Sequence, residues 1–379
     1  MTLVLINGCL EPGADGVGDY CRRLAAACID LGVPTHLLAL HDPHVAEPQL
    51  GPQGSDGVMV PSLRLPASLP WRQRGELAQD QMRRWQCRSL SLQFVPYAFE
   101  RRGLPLALLP LLRQLSRLPE LRVHLMMHEI WIGIASSSDL RSRAIGHLQR
   151  RLIQALCNAI QPSQVHTTNG TYARCLREVG IPADRLPLFS GLPAVALPSG
   201  SSPQPPDGVH SACLFGRIPP LWDPDPALQA LVEEADRRAC EPRLLLIGRH
   251  WIDESWIEQL RRRWPQIRID QHGIEENPER LSQLIGACQL GLATVPWGLI
   301  EKSSAVAAFL TLGLPVVACK ETWQLRRRWQ GDGRYLLPDH SNLLRLSAWR
   351  DPALRAGLPP YTPMTPRRVA EAMLPQLLA

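Results

Sequence analysis

TLVLINGCLEPGADGVGDYCRRLAAACIDLGVPTHLLAL, residues 2–40, decides the fold class. It opens on a short apolar run, TLVLIN (2–7), and crosses a Gly-rich loop, GADGVGDY (13–20). An amphipathic pattern, DYCRRLAAACIDLG (19–32), follows and stops at Gly32, and a second apolar run, THLLAL (35–40), closes the stretch. Apolar residues at helical spacing mark the middle as a helix with one buried face, and the short continuous apolar runs have the pattern of strands covered on both sides. Strand, helix and strand in this order make a βαβ unit. Further strand patterns, RSLSLQFV (88–95), LRVHLMM (121–127), SQVHTT (163–168) and RLPLF (185–189), alternate with helical stretches such as Leu140 to Asn158. Such alternation predicts a doubly wound parallel sheet with helices on both faces.

Residues 196–211, ALPSGSSPQPPDGVHS, are rich in Pro, Ser and Gly and read as a linker. After it the alternation restarts: ACLFG (212–216), helix 226–239, RLLLIG (243–248), helix 253–263, QIRID (266–270), helix 278–287, QLGLAT (289–294), helix 302–312 and LPVVA (314–318). The chain therefore divides into a first Rossmann-like domain over 1–195, the linker 196–211, and a second over 212–364. The tail 365–379, TPRRVAEAMLPQLLA, is a helix with Thr365 as N-cap and Pro366 at its first position. The Pro-rich span 331–364 has no periodicity that assigns it.

At 379 residues the chain has room for two domains. Hydrophobic content of 45% with 20% charged residues is that of a globular protein, and no run of about 18 apolar residues could cross a bilayer. The first residues lack a basic start and run straight into a strand and an acidic loop, so a cytoplasmic location is expected. The ten cysteines are scattered without a CxxC pair, which speaks for reduced core thiols and against zinc or disulfides. Net charge is +6, and residues 64–122 hold eleven arginines against Glu76, Asp80, Glu100 and Glu120. No recognisable nucleic-acid module accompanies this excess. It reads as a solvated surface, or as a face for anionic lipid headgroups at the inner membrane or for a phosphorylated acceptor. Only Lys302 and Lys320 are lysines, and both bracket EKSSAVAAFLTLGLPVVACK (301–320).

Two such sheets in series place the C-terminal strand edges across a shared cleft, where ligands bind in these folds. Gly16-Val17-Gly18-Asp19 lies between the first strand and helix, where backbone N–H groups can accept an anion; it is not GxGxxG, so no dinucleotide fingerprint is present. The start of helix 302–312 repeats that geometry, with Lys302 as a cation, Ser303 and Ser304 as hydroxyl and N–H donors, and Glu301 as an acceptor for sugar or ribose hydroxyls. A plain Ser-capped helix would look the same. VHTTNGTY (165–172) and QFVPYAFERRG (93–103) follow strands and offer Thr168, Asn169, Gln93 and Tyr97 as substrate contacts. RRRWQGDGR (326–334) reads as a solvated face.

Taken together, GVGDYCRRLAAACIDLG, LFGRI, LLLIGRH, HG at Gly273, ERLSQLIGACQLGLATVP and EKSSAVAAFLTLGLPVVA resemble a GT-B glycosyltransferase of the retaining, family-four type. The resemblance spans nearly the whole chain and is strongest from Ala212 to Cys319. It implies that the second domain binds a nucleoside-diphosphate sugar of UDP or GDP type, that the first binds the acceptor, and that the final helix crosses back to the first. It places Gly16 and Gly18 near the donor phosphates, His128 of MMHEIW against the transferred sugar, and Arg217 of FGRI at the diphosphate, with Arg249, Lys302, Ser303 and Ser304 beside it. His128 and Glu301 become the catalytic candidates, and Asp19, Gln93, Tyr97, Thr168 and Asn169 the acceptor contacts. An arginine fork that neutralises the departing diphosphate implies no metal ion and no resident cofactor. The sequence departs from the family in two places: IPPLWDPDP after Arg217 lacks the usual lysine, and Ala308 stands where a second glutamate would fall. A non-catalytic protein of the same fold, or a sugar-nucleotide epimerase, are the alternative readings.

Overall fold

The computed structural model describes residues 2–192, 208–219, 222–248, 254–330, 342–351 and 362–378. Contacts divide the chain into two compact units. The first takes in Met1–Pro187 and, from later in the chain, the segments that begin at Gln324 and Thr365; the second begins at Leu188. Of the expected linker 196–211, residues 196–207 lie outside the described residues, and 209–211 already belong to the first strand of the second unit.

The first unit runs β1 (Thr2–Asn7), α1 (Gly16–Asp30), β2 (Thr35–Asp42), β3 (Gln49–Ser55), β4 (Val58–Pro66), α2 (Trp71–Arg84), β5 (Cys87–Phe94), α3 (Pro96–Phe99), α4 (Leu108–Leu115), β6 (Arg122–Met127), α5 (Leu140–Ile160), β7 (Gln164–Thr167), α6 (Gly170–Arg177) and β8 (Asp184–Arg185). Its sheet has the order β3-β4-β2-β1-β5-β6-β7-β8, parallel except for the β3–β4 hairpin. That hairpin was not expected from sequence, although Asp56 and Gly57, both at positive φ, are the Asp-Gly pair that a tight hairpin turn favours. β1 is central, and its Leu3, Val4, Leu5 and Ile6 are fully buried, which is why it reads as a continuous apolar run.

The second unit runs β9 (Val209–Phe215), α7 (Asp225–Arg237), β10 (Glu241–Ile247), α8 (Glu254–Arg263), β11 (Arg268–Gly273), α9 (Pro278–Gly286), β12 (Leu290–Pro296), a 3-10 turn (Trp297–Lys302), α10 (Ser304–Thr311) and β13 (Val316–Lys320). A strand β14 (Leu343–Arg345) completes a six-stranded parallel sheet of order β11-β10-β9-β12-β13-β14. Leu244 and Leu246 of β10 enter one apolar cluster with Leu228 and Ile257, while Leu245 and Ile247 enter the other with Ile285 and Phe309. Both faces are covered, so the strand must be apolar at every position.

The final helix, Pro366–Leu378, belongs to the first unit. The hydroxyl of Thr365 accepts from the backbone N–H of Arg368 at 3.2 Å, as expected of an N-cap. Val369, Met373 and Leu377, spaced by four, are fully buried, and the Leu377 carbonyl accepts from the Ser89 hydroxyl of β5 at 2.8 Å. Each such burial contributes about 2 kcal/mol.

Candidate functional site

In the first unit the strands β1, β5, β6 and β7 end at the edge where α1 begins. The start of α1 is capped from within: the Asp15 carboxylate accepts from Val17 N at 3.1 Å, and Asp19, next on the helix, accepts from Gly13 N at 3.1 Å and pairs with Arg22. Burial holds the Asp15 carboxyl above its ordinary range, and Asp19 adds to this against the pull of the Val17 amide. The sequence suggested bare amides awaiting an anion. Here a carboxylate already fills that position, and a second stands beside it. Gly18 has a packing role, since a Cβ there would lie 2.4 Å from the Cys9 carbonyl oxygen; Gly16 is exposed.

His128, directly after β6, is 7% exposed and packs edge-on against the Tyr20 ring at 4.9 Å. Burial pushes its imidazole down to about 3, so it is neutral. Its Nε2 donates to Gln93 Oε1 at 2.8 Å, Gln93 Nε2 donates to Ser91 Oγ at 2.7 Å, and Ser91 lies 2.7 Å from His124 Nδ1. His124 Nε2 in turn faces His166 Nδ1 at 3.0 Å. His124 and His166 are also held below the ordinary imidazole range by burial, and His124 further by its histidine neighbours. With all three rings neutral, one proton per ring satisfies every link when each points away from His128. At the far end Gln164 Nε2 stands 3.1 Å from His166 Nε2 while its Oε1 is buried without a partner; a half-turn of that amide gives His166 its acceptor. The chain of bonds holds His128 as the Nε2–H tautomer and leaves Nδ1 as its acceptor nitrogen.

In the second unit β9 is the strand at which the order reverses: β10 and β11 lie on one side of it, β12 and β13 on the other. Crevices at such reversals, beyond the C-terminal strand ends, are where open α/β sheets hold ligands. β9 pairs with β10 along its whole length, but with β12 only at Ala212↔Leu290 and Cys213↔Gly291, beyond which the two strands part. Gly216, Gly248 and Gly273 end β9, β10 and β11 at positive φ, and a Cβ on Gly248 would lie 3.2 Å from Gly216 N. Arg217, two residues beyond the end of β9, is exposed at this edge. On the other lip β12 runs into the 3-10 turn that carries half-buried Glu301 and Lys302.

The predicted helix 302–312 is corrected in one respect. Ser303 is extended, its hydroxyl accepts from Val306 N at 3.4 Å, and α10 starts only at the exposed Ser304. The Ser303 hydroxyl is thus a cap, and Glu301 and Lys302 precede the helix. Arg249 lies outside the described residues. Among the expected acceptor contacts, Thr168 and Asn169 are each 1% exposed: Asn169 caps α6 through Tyr172 N at 2.9 Å and donates to Thr168 at 3.1 Å. Gln93 is likewise 1% exposed and holds His128. All three are buried and bonded within the first unit. Tyr97 remains 40% exposed, its hydroxyl accepting from Gln149 at 3.2 Å, and Asp19 is partly exposed.

Sequence reasoning missed Asp15, Ser91, His124 and His166. A signal was present: Ser89, Ser91 and Gln93 fall on one face of an otherwise apolar strand, as do His124 and His128 around the next. Polar residues at period two inside apolar runs mark a buried polar seam.

No protein-family model and no curated protein matches the chain. Among solved structures it resembles an alpha,alpha-trehalose-phosphate synthase (UDP-forming) from Burkholderia xenovorans in complex with glucose-6-phosphate, at 12% identity and TM-score 0.54, over 99% of this chain and 96% of that one. It also resembles Anabaena HepE in complex with UDP (13%, 0.53) and with UDP and glucose (13%, 0.51), each over 98% of this chain and 88% of that one. The chain has the GT-B fold, two Rossmann-like α/β units in series.

Proposed function

We propose that this GT-B chain is a glycosyltransferase, moving a sugar from a nucleoside-diphosphate sugar to a small-molecule, lipid or saccharide acceptor with retention of configuration and without a metal or resident cofactor. One observation carries the reading: Arg217 on one lip and Glu301 with Lys302 on the other flank the strand reversal of the second sheet. The cations suit a diphosphate, whose charge grows as the sugar departs, and Glu301 suits a ribose or sugar hydroxyl. In the first unit neutral His128, its tautomer held by Gln93, offers Nδ1 to a sugar hydroxyl. The UDP in the Anabaena structures supports a uridine donor. The acceptor belongs to the first unit, where Tyr97 and Asp19 remain exposed enough to meet it; an anionic inner membrane face is the expected setting if that acceptor is a lipid.

A second reading, a non-catalytic GT-B protein, draws on the carboxylate-filled start of α1. Thermal melting against UDP, GDP, ADP, dTDP and their sugars separates the two, because a ligand of the native state raises the melting temperature. The glycosyltransferase reading expects one nucleotide to stand out, Arg217→Ala to remove most of its shift without altering the unliganded melt, and Arg217→Ala or Lys302→Ala to lower turnover by about a hundredfold or more. No shift with any nucleotide favours the second reading, and near-native turnover in both variants overturns the first.

A further inference from the structure

The stretch RRRWQGDGR, which the sequence suggested was a solvated face, instead begins by closing a pocket on the first unit. Leu325 pairs with Ala135, Ser136 N donates to Gln324 O at 2.8 Å, and Arg326 N donates to Ile134 O at 2.9 Å. This seats Trp329, 2% exposed, beside Trp131, 4% exposed, with ring centroids 5.8 Å apart. The two indoles and α5 wall a cavity of about 300 Å³ that Arg143, Arg150, Arg326 and Arg328 also line. The floor is tightly built, since a Cβ on Gly146 would lie 1.9 Å from the Ile132 carbonyl oxygen and one on Gly133 2.7 Å from that of Ser142.

Among the described residues no carboxylate lines this cavity, and none of the four arginines is ion-paired. Among the described residues Arg143 donates to the Ser136 carbonyl at 3.1 Å but keeps a buried Nε without an acceptor, Arg150 reaches only His147, and Arg328 lies over the Trp329 ring at 4.4 Å. The buried Trp329 Nε1–H likewise has no acceptor among the described residues. Burial, then the cations of Arg328, Arg151 and Arg326, hold the Arg150 guanidinium below its ordinary range. Mutually repelling cations gathered in a walled cavity, with donors left over, are an arrangement that an anion completes.

We propose that this pocket binds a phosphate group, gripped by Arg150, Arg326 and Arg328 with the Trp131 and Trp329 rings against the rest of the ligand. The site is independent of the glycosyl-transfer reading. Two sources share that chemistry, a soluble phosphate ester and a lipid headgroup; Leu140 and Leu148, 80% and 55% exposed on α5, would suit the second.

Calorimetric titration of the full chain with inorganic pyrophosphate, and flotation with phosphatidylcholine vesicles with and without phosphatidylglycerol, test it. In an R217A background, which weakens the diphosphate contact proposed in the second unit, R150Q/R328Q is expected to weaken pyrophosphate binding about tenfold or more, while R72Q, exposed on α2, keeps it. Loss of only the phosphatidylglycerol-dependent flotation, in R150Q/R328Q and in L140S/L148S alike, assigns the phosphate to a lipid. Should the double variant fail to fold, R326Q replaces it. Wild-type protein that binds neither probe, or binding that is equal in wild type and arginine variants, overturns the proposal.

Discussion

At the scale of single residues, His128 shows how surroundings settle chemistry. Its position after a strand was legible; its protonation state and tautomer were not, because they come from Gln93, Ser91, His124 and His166 on three neighbouring strands. A stability consequence follows. Below pH about 6.5 the unfolded chain protonates these imidazoles while the native chain resists to lower pH, down to about 3 for His128. The unfolded state then binds more protons, so the stability contribution is complete above pH about 6.5 and is lost as pH falls below it. Melting temperature is expected to be level from pH 8 to 7 and to decline toward pH 5, less steeply in His128→Gln; a flat profile from 7 to 5 in the wild type would contradict the neutral network. Arg64 makes the complementary case. Burial works against the Asp42 carboxylate, but Arg64 at 2.7 Å and the amides of Leu10 and His44 outweigh it and hold the carboxyl below its ordinary range. Arg64→Ala strands that charge and is expected to cost about 3–5 kcal/mol in chemical denaturation, against about 1 kcal/mol or less if the pair behaves as a surface one.

At the scale of elements, periodicity located most strands and helices within a few residues, while the glycines inside them needed the structure to be understood. Gly146 looks like a flaw in α5, and helix propensity alone predicts that Gly146→Ala stabilises by about 1 kcal/mol. The 1.9 Å approach of its absent Cβ to the Ile132 carbonyl reverses the sign, because backbone cannot yield as a side chain does. A destabilisation of about 1–3 kcal/mol or more is expected in chemical denaturation, and any gain in stability would refute the close packing. The start of α10 teaches the same lesson. Glu301-Lys302-Ser303-Ser304 reads as one helical turn, yet Ser303 takes the extended backbone of a cap and leaves Glu301 and Lys302 on a 3-10 turn beside the β9–β12 gap.

At the scale of the whole molecule, the tail returns to the first unit and completes its core. Removing residues 365–379 takes away the buried Val369, Met373, Leu374 and Leu377 and uncovers the surface they pack on, a loss of roughly 8 kcal/mol at about 2 kcal/mol each, comparable with the net stability of about 5–15 kcal/mol of a typical domain. Truncation should therefore unfold or strongly destabilise the first unit, seen as a lowered melting transition and lost protection of β5 and β6 amides in hydrogen exchange; an unchanged melt would show the helix to be dispensable. The sequence by itself determined the two doubly wound sheets, the tail helix and the strand ends where polar residues gather, because alternation and burial on both faces are written in local patterns of apolar side chains. Only the tertiary structure decided that Asp15 fills the first helix start, that Asn169 is a cap with Thr168 bonded to it, that three histidines share one proton order, and that Trp131 and Trp329, 198 positions apart, wall one basic pocket. Those outcomes depend on which side chains meet across distant segments, and no local pattern carries that information.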